Sequence, residues 1–241
     1  SYYAFLKKYE KDYKVRLNEV EESFIKFICT KLTNGKRKIE LEILSNILED
    51  KIDIFPNNLS KNEYTNVINI FTNEFPTGSG KNTFKDCIFM EDNKISKPFK
   101  KCLENNEFKS MVEEIIEYGL DQYYKHYKNT YKNTNFVLYQ KYTYEDACRL
   151  LNWQHNEVPL NIGGYKYDQK TKTFPVFINY DKANDIQDTI KYEDHFINES
   201  QLIAISKSGR TTSSDDVQNF LYAKERGIEV HLFMRKNKDD K

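Results

Sequence analysis

The hydrophobic period of this chain changes near Asn133-Thr-Asn135, and that change limits the folds open to it more than any other feature. Before it, apolar residues recur at spacings of three and four with charges between them, the pattern of amphipathic helices. After it come short, strand-sized apolar runs punctuated by Gly and Pro and interrupted by two helical stretches. The expected fold class is therefore α+β. An N-terminal all-α helical domain over residues 1–135 is followed by a mixed α+β domain over residues 136–241, built on a curved, barrel-like sheet.

In the helical part, the residues from Phe5 and Tyr9 through Phe24 and Ile28 predict one amphipathic helix ending near Thr33-Asn-Gly35. A second helix carries Ile39, Leu41, Ile43, Leu44, Ile47 and Leu48 and is closed by Pro56. Ser60 with Glu63 makes a capping box for a third, which carries Val67, Ile70 and Phe71. After Lys97-Pro98 helical spacing resumes and runs from Phe99 to Tyr131. Two fragments here look catalytic and fail on required residues. Gly78-Ser-Gly-Lys81 resembles the end of a phosphate-binding loop, but the first glycine would fall at Phe75 and the metal-binding hydroxyl at Asn82. His126-Tyr-Lys128 begins like the His-x-Lys motif of phospholipase-D-type nucleases, yet Asn133 stands where that motif has Asp.

In the second part, Phe136–Tyr139 is expected to enter as a strand, and Thr143 with Asp146 to start a short helix that buries Leu150 and Leu151. Strands are expected over 162–167, 173–180 and 201–206. A helix over 213–226 should carry Val217, Phe220 and Leu221 on one face and stop at Gly227, before a closing strand over 228–233.

Lys and Arg number 37 and Asp and Glu 37, so the chain is formally neutral and a nucleic-acid site would have to be a local patch. The wealth of Lys, Asn and Ile fits a low-GC bacterial coding bias. Cys29, Cys87, Cys102 and Cys148 form no C-x-x-C pair, which points to free thiols in a reducing cytoplasm. No apolar run spans a bilayer, and no membrane partner is expected. His155, His195 and His231 have no metal-ligand spacing and no nucleophile-base pair is evident, so neither metal nor catalysis is expected of this stretch. The opening within helical spacing at Ser1-Tyr-Tyr-Ala-Phe5 suggests a piece of a longer chain.

Binding chemistry concentrates between Thr143 and Arg210. Tyr192, Glu193 and Asp194 set an aromatic ring beside two carboxylates that accept hydrogen bonds. Gly163 and Gly164 would let backbone approach a phosphate or base closely, with Asn161 beside them as a further candidate contact. Ser206, Lys207, Ser208, Arg210 and Thr211 form a polar loop suited to phosphates. Trp153, Tyr165 and Tyr180 are candidate stackers. Each has a plainer alternative: Trp153 as core, Gly163-Gly164 as a bare turn, Tyr192–Asp194 as a solvated strand end, and the loop as a lead into the Ser213 cap.

The run Tyr139–Trp153, then Asn161-Ile-Gly-Gly-Tyr165, Phe174-Pro-Val-Phe177, Tyr192-Glu-Asp-His-Phe196, Ser206-Lys-Ser-Gly-Arg-Thr211 and His231-Leu-Phe233 resembles a C-terminal domain of unknown function. In that family it follows a phospholipase-D-type nuclease and a DEAD/DEAH-type helicase. The helical part resembles the coupler of SauUSI-type restriction enzymes, ATP-dependent type IV enzymes that cut DNA carrying 5-methylcytosine or 5-hydroxymethylcytosine. The order of Tyr192-Glu-Asp194, a strand and the Ser206–Gly209 turn is also similar to the pocket of SET- and RING-associated (SRA) domains, and implies an SRA/PUA-like sheet. Ala204 stands where that pocket has its second aromatic, so Tyr165, Trp153 or Tyr180 would have to close it.

The resemblance implies recognition of modified cytosine in duplex DNA by base flipping. Nuclease and helicase would lie elsewhere in the same full-length chain, a second copy of which is a candidate partner. ATP and Mg would serve the helicase, with no cofactor in this stretch. The alternative is a structural coupler that docks on the helicase and touches DNA without specificity.

Overall fold

The computed structural model describes residues 2–158, 162, 164–179, 195–198, 200–204 and 206–235. They fall into two compact units, Ser1–Asn156 and Glu157–Lys241. In the first, α1 (Tyr2–Tyr9) and α2 (Glu19–Phe27) replace the single helix expected there. Asn18 makes the break. Its side chain accepts from the amides of Val20 and Glu21, and the Glu21 carboxylate accepts from the Asn18 amide, a reciprocal cap that starts a new helix. A π-helical turn over Ile28–Leu32 extends α2. It is followed by α3 (Ile39–Leu48) and by α4 (Lys61–Phe71), which has the expected Ser60–Glu63 box.

The short α5 (Gly80–Thr83) leads to a two-stranded turn, β1 (Met90–Glu91) with β2 (Lys94–Ile95), and then to α6 (Lys97–Cys102) and α7 (Asn106–Gln122). The Asn105 side chain accepts from the Glu107 amide and so separates α6 from α7. The core of this unit is aromatic. Phe24, Phe71, Phe89, Phe99 and Phe108 are fully buried, and the Phe89 ring lies 4.8 Å from Phe24 and from Phe99 and 5.4 Å from Phe71. Burying each such ring is worth roughly 1.5–3 kcal/mol. Helices α3 and α7 cross closely because position 119 is glycine: a Cβ there would stand 2.7 Å from Leu41 Cδ1.

The segment after α7 departs from expectation. Phe136–Tyr139 is not a strand. Phe136 is buried, its carbonyl accepts from the Tyr131 amide at 2.7 Å, and the Tyr142 hydroxyl accepts from the Val137 amide at 2.8 Å and donates to the Val137 carbonyl at 3.2 Å. These local bonds use the groups that a sheet ladder would need. The helix α8 (Tyr144–Leu150) forms with the expected Thr143–Asp146 box and packs within the first unit, as does Trp153.

Charged groups hold α8 there. Arg149 donates to the Lys31 carbonyl at 2.6 Å, Arg37 donates to the Arg149 carbonyl at 2.9 Å, and Lys36 pairs with Asp146 at 2.5 Å. Asn69 and Thr77 bind the carbonyls of Gln154 and Asn156 at 2.7 and 3.0 Å.

In the second unit β3 (Thr173–Asn179) pairs in parallel with β6 (Glu229–Arg235), in a register that sets Phe177 beside Phe233 with their rings stacked 4.9 Å apart. A hairpin joins β4 (His195–Asn198) to β5 (Gln201–Ile203), and α9 (Asp215–Leu221) precedes β6. The described strands thus pair two by two, and the class is mixed α+β. The strand expected over 162–167 is reduced to single bridges from Tyr165 to Val176 and from Asp168 to Thr173. Phe220 touches the buried Phe174 ring at 5.8 Å, yet Phe220 and Leu221 are 49% and 58% exposed, so the expected apolar face of α9 is only partly covered.

Candidate functional site

Within the second unit, the loop from Ser206 to Thr211 connects β5 to α9 and is shaped by its own backbone. The Arg210 amide donates to the Lys207 carbonyl at 3.2 Å, and Gly209 sits at φ +74°, a left-handed angle that glycine adopts without strain. The Thr211 amide donates to Ser214 Oγ at 3.0 Å, and the Thr211 and Ser213 hydroxyls meet at 2.9 Å. Ser206, Ser208, Arg210 and Thr211 are exposed, so the loop presents hydroxyls and a guanidinium to solvent.

Tyr165 forms the floor beside it. Its ring stacks on Phe174 at 5.5 Å, the Lys207 ammonium lies 4.6 Å from the ring centroid, and its hydroxyl accepts from the Lys207 amide at 3.4 Å. Burial pushes the Tyr165 hydroxyl above its ordinary pKa. Partial burial also lowers the Lys207 ammonium; the Asp216 carboxylate opposes this, and the neighbouring Arg210 and Lys166 charges add to it. Arg210 Nε donates to Asp216 Oδ2 at 2.7 Å, which raises the guanidinium pKa. Although partial burial opposes it, that same bond holds Asp216 below the usual carboxylate range.

Lys207 thus lies in the field of Lys166, which pairs with Glu157, and of Arg210, which pairs with Asp216. Lys207, which forms no ion pair among the described residues, can with the exposed hydroxyls of the loop bind an anion such as a phosphate diester. Sequence reasoning named Lys207 and Arg210 but passed over Lys166 and Asp216. The adjacency of Lys166 to Tyr165 and the six-residue step from Arg210 to Asp216 were the available signals.

Gly164 stands at φ +93° with open space where a Cβ would be, and its carbonyl accepts from the Phe177 amide at 2.6 Å. Its role is the backbone angle that seats it on β3. Trp153 is 4% exposed in the first unit, where its amide donates to the Cys148 carbonyl at 3.0 Å and its carbonyl accepts from Asn66, so its ring belongs to that unit's core. Tyr180, Asn161, Gly163, Tyr192, Glu193 and Asp194 lie outside the described residues.

The two catalytic-looking fragments have no catalytic setting. Lys81 pairs with Glu74 at 2.8 Å, Phe75 is buried where a first glycine was needed, and helix α4 precedes the turn in place of a strand. These residues do not fit a nucleotide phosphate. His126 lies exposed on the π-helical turn Tyr123–Tyr127. Among the described residues no three His, Cys, Asp or Glu side chains group to hold a metal, and no helix is long and apolar enough to cross a membrane. The four cysteines are free thiols; Cys87, Cys102 and Cys148 are buried, and burial raises Cys102 to about 11.

Two family matches divide the chain. Residues 1–128 match Domain of unknown function (DUF8090), and residues 136–241 match Domain of unknown function (DUF3427). The second match therefore begins inside the first compact unit, and its opening stretch, with α8 and Trp153, folds on the helices of the first. No curated protein and no solved structure matches the chain.

Proposed function

We propose, for a chain that belongs to the DUF8090 family and carries DUF3427 after it, that its C-terminal unit recognises modified cytosine in duplex DNA. In this reading 5-methylcytosine or 5-hydroxymethylcytosine is flipped into a pocket, and the chain is the target-recognition end of a SauUSI-type, ATP-dependent type IV restriction endonuclease. An SRA-like curved sheet belongs to the same proposal. The nuclease and the ATP- and Mg-using helicase would be other parts of the full-length protein.

The observation that carries the reading is the β4–β5 hairpin. It pairs His195 with Ile203, so the chain enters β4 and leaves β5 at the same end. Tyr192, Glu193 and Asp194 immediately precede that point in sequence, and the Ser206–Thr211 loop follows soon after it. A base-reading segment and a phosphate-binding loop are thus connected through one short hairpin. Flipping costs a few kcal/mol, which stacking on Tyr192 and a hydrogen bond from the cytosine amino group to Asp194 would offset. A methyl group at carbon five adds only about 1 kcal/mol when buried, so pocket shape must contribute to discrimination. Lys207 and Arg210 would hold the flanking phosphates.

The test is titration with matched duplexes carrying cytosine, 5-methylcytosine or 5-hydroxymethylcytosine at one central position, at several salt concentrations. Preference for a modified duplex that persists at higher salt, and that Asp194→Ala or Tyr192→Ala removes without unfolding the chain, is the expected result. Equal, salt-erased binding to all three would sink the proposal.

A second reading, a coupler that docks on the helicase and touches DNA without specificity, is favoured by α1. Phe5 and Tyr9 are 52% and 58% exposed there with their rings 4.8 Å apart, an apolar face open to a protein partner.

A further inference from the structure

In a chain whose charges balance, the 23 residues from Gln122 to Tyr144 contain no Asp or Glu, yet they hold four lysines (Lys125, Lys128, Lys132, Lys141), His126 and seven tyrosines. This stretch begins at the end of α7 and is drawn together by its own contacts. Tyr127 meets Tyr142 at 6.4 Å, Tyr142 meets Phe136 at 5.1 Å, and the Tyr131 amide donates to the Phe136 carbonyl. These bonds hold the loop against the π-helical turn Tyr123–Tyr127, an uncommon geometry that is frequent at functional sites.

The fold then turns other tyrosines outward. Tyr124 is 51%, Tyr131 43% and Tyr139 100% exposed. Tyr139 does so at φ +64°, a left-handed angle that disfavours a bulky side chain and that glycine would adopt freely. A fully exposed ring on a strained backbone adds nothing to packing, so strain of this kind points to use of the ring itself. The Lys132 ammonium lies 4.9 Å from the Tyr131 ring, and Lys128 and Lys132 form no ion pair among the described residues.

We propose that this segment is a second nucleic-acid surface, one that takes a single strand by stacking unpaired bases on its exposed tyrosines and pairing phosphates with its lysines. Lys125 pairs with Asp121 at 2.6 Å, which leaves Lys128 and Lys132 as the cations that select a polyanion over an average protein surface. Exposed aromatic faces select unpaired bases, because a duplex keeps its base faces stacked inside. The surface lies on the first unit and does not depend on modified-cytosine recognition by the second.

Fluorescence anisotropy of labelled oligothymidylate with the 241-residue chain tests it. The expected result is salt-dependent binding, stronger than to an unmodified duplex of equal length. Tyr139→Gly should weaken it about ten-fold while the thermal midpoint holds or rises, and Tyr139→Phe should retain it. Lys128→Gln and Lys132→Gln should each lower the slope of log affinity against log salt by about 0.7. Arg210→Ala should change the oligothymidylate affinity less than Tyr139→Gly does. Absent binding, equal binding to the duplex, affinity indifferent to Tyr139→Gly, or a larger loss with Arg210→Ala than with Tyr139→Gly would each overturn the proposal.

Discussion

Replacing Arg37 with Met should destabilise the first unit more than an ordinary surface ion pair would suggest. The guanidinium is 3% exposed and its partner Glu40 is fully buried. All five of its N–H donors are used: Nε and one Nη2 hydrogen on Glu40, the other on Asn66 at 2.7 Å, and Nη1 on the Arg149 carbonyl at 2.9 Å and Asn152 Oδ1 at 3.0 Å. Arg37→Met would leave a buried carboxylate with Arg149 as its remaining cationic neighbour, and three acceptors without their donor. Removing one partner of a buried pair costs about 3–5 kcal/mol. At roughly 2–4 °C per kcal/mol for a unit of this size, the thermal midpoint should fall by on the order of 6–20 °C.

The pH dependence gives a second handle. Burial alone would raise the Glu40 pKa, but the Arg37 and Arg149 charges outweigh it and hold the carboxyl below its ordinary 4.5. Stability from a depressed carboxyl is present above that ordinary value and is lost as pH falls through the folded value. Without Arg37 the Glu40 pKa rises, so the gap between variant and parent should narrow at acid pH. Urea melts followed by circular dichroism at neutral and acid pH would show this, and Arg37→Met with Glu40→Leu should recover only part of the loss, because Arg149 then loses the Glu40 charge. A loss below about 1 kcal/mol, or one independent of pH, would refute the reasoning.

Arg210→Ala should weaken cytosine and modified duplexes alike, and reduce the salt slope by about 0.9, if the side chain meets a phosphate; loss confined to the modified duplex would place it at the base instead. Gly35→Ala should lower the urea midpoint by an amount corresponding to more than about 1 kcal/mol. Position 35 sits at φ +70°, and a Cβ there would stand 2.8 Å from the Tyr123 backbone nitrogen. An unchanged midpoint would mean that the approach of this turn to the end of α7 is looser than described.

Features with local causes were legible in the residues. The Ser60–Glu63 and Thr143–Asp146 boxes start α4 and α8 where the spacing placed them, because a capping box is closed within four residues. The same rule applied to Asn18 and Glu21 would have found the break between α1 and α2; attention to the unbroken apolar spacing hid it. The polar loop after β5 was visible for the same reason, as Gly209 and its hydroxyl neighbours build the turn among themselves. Phe136–Tyr139 misled because apolar alternation says nothing of the Tyr142 hydroxyl that captures both polar groups of Val137. Lys166 and Asp216 escaped because their importance lies in a field shared with Lys207 and Arg210.

The sequence by itself determined the α+β class and the positions of the Ser60–Glu63 and Thr143–Asp146 caps, since each follows from the side-chain spacing of one segment. Only the tertiary structure decided that α8 and Trp153 complete the helical unit. Lys36 and Asp146, 110 residues apart, pair there, and Arg37 reaches the Arg149 carbonyl across 112. The physical reason is desolvation: a charge taken out of water must find partners wherever the fold can bring them, and chain distance does not limit that search.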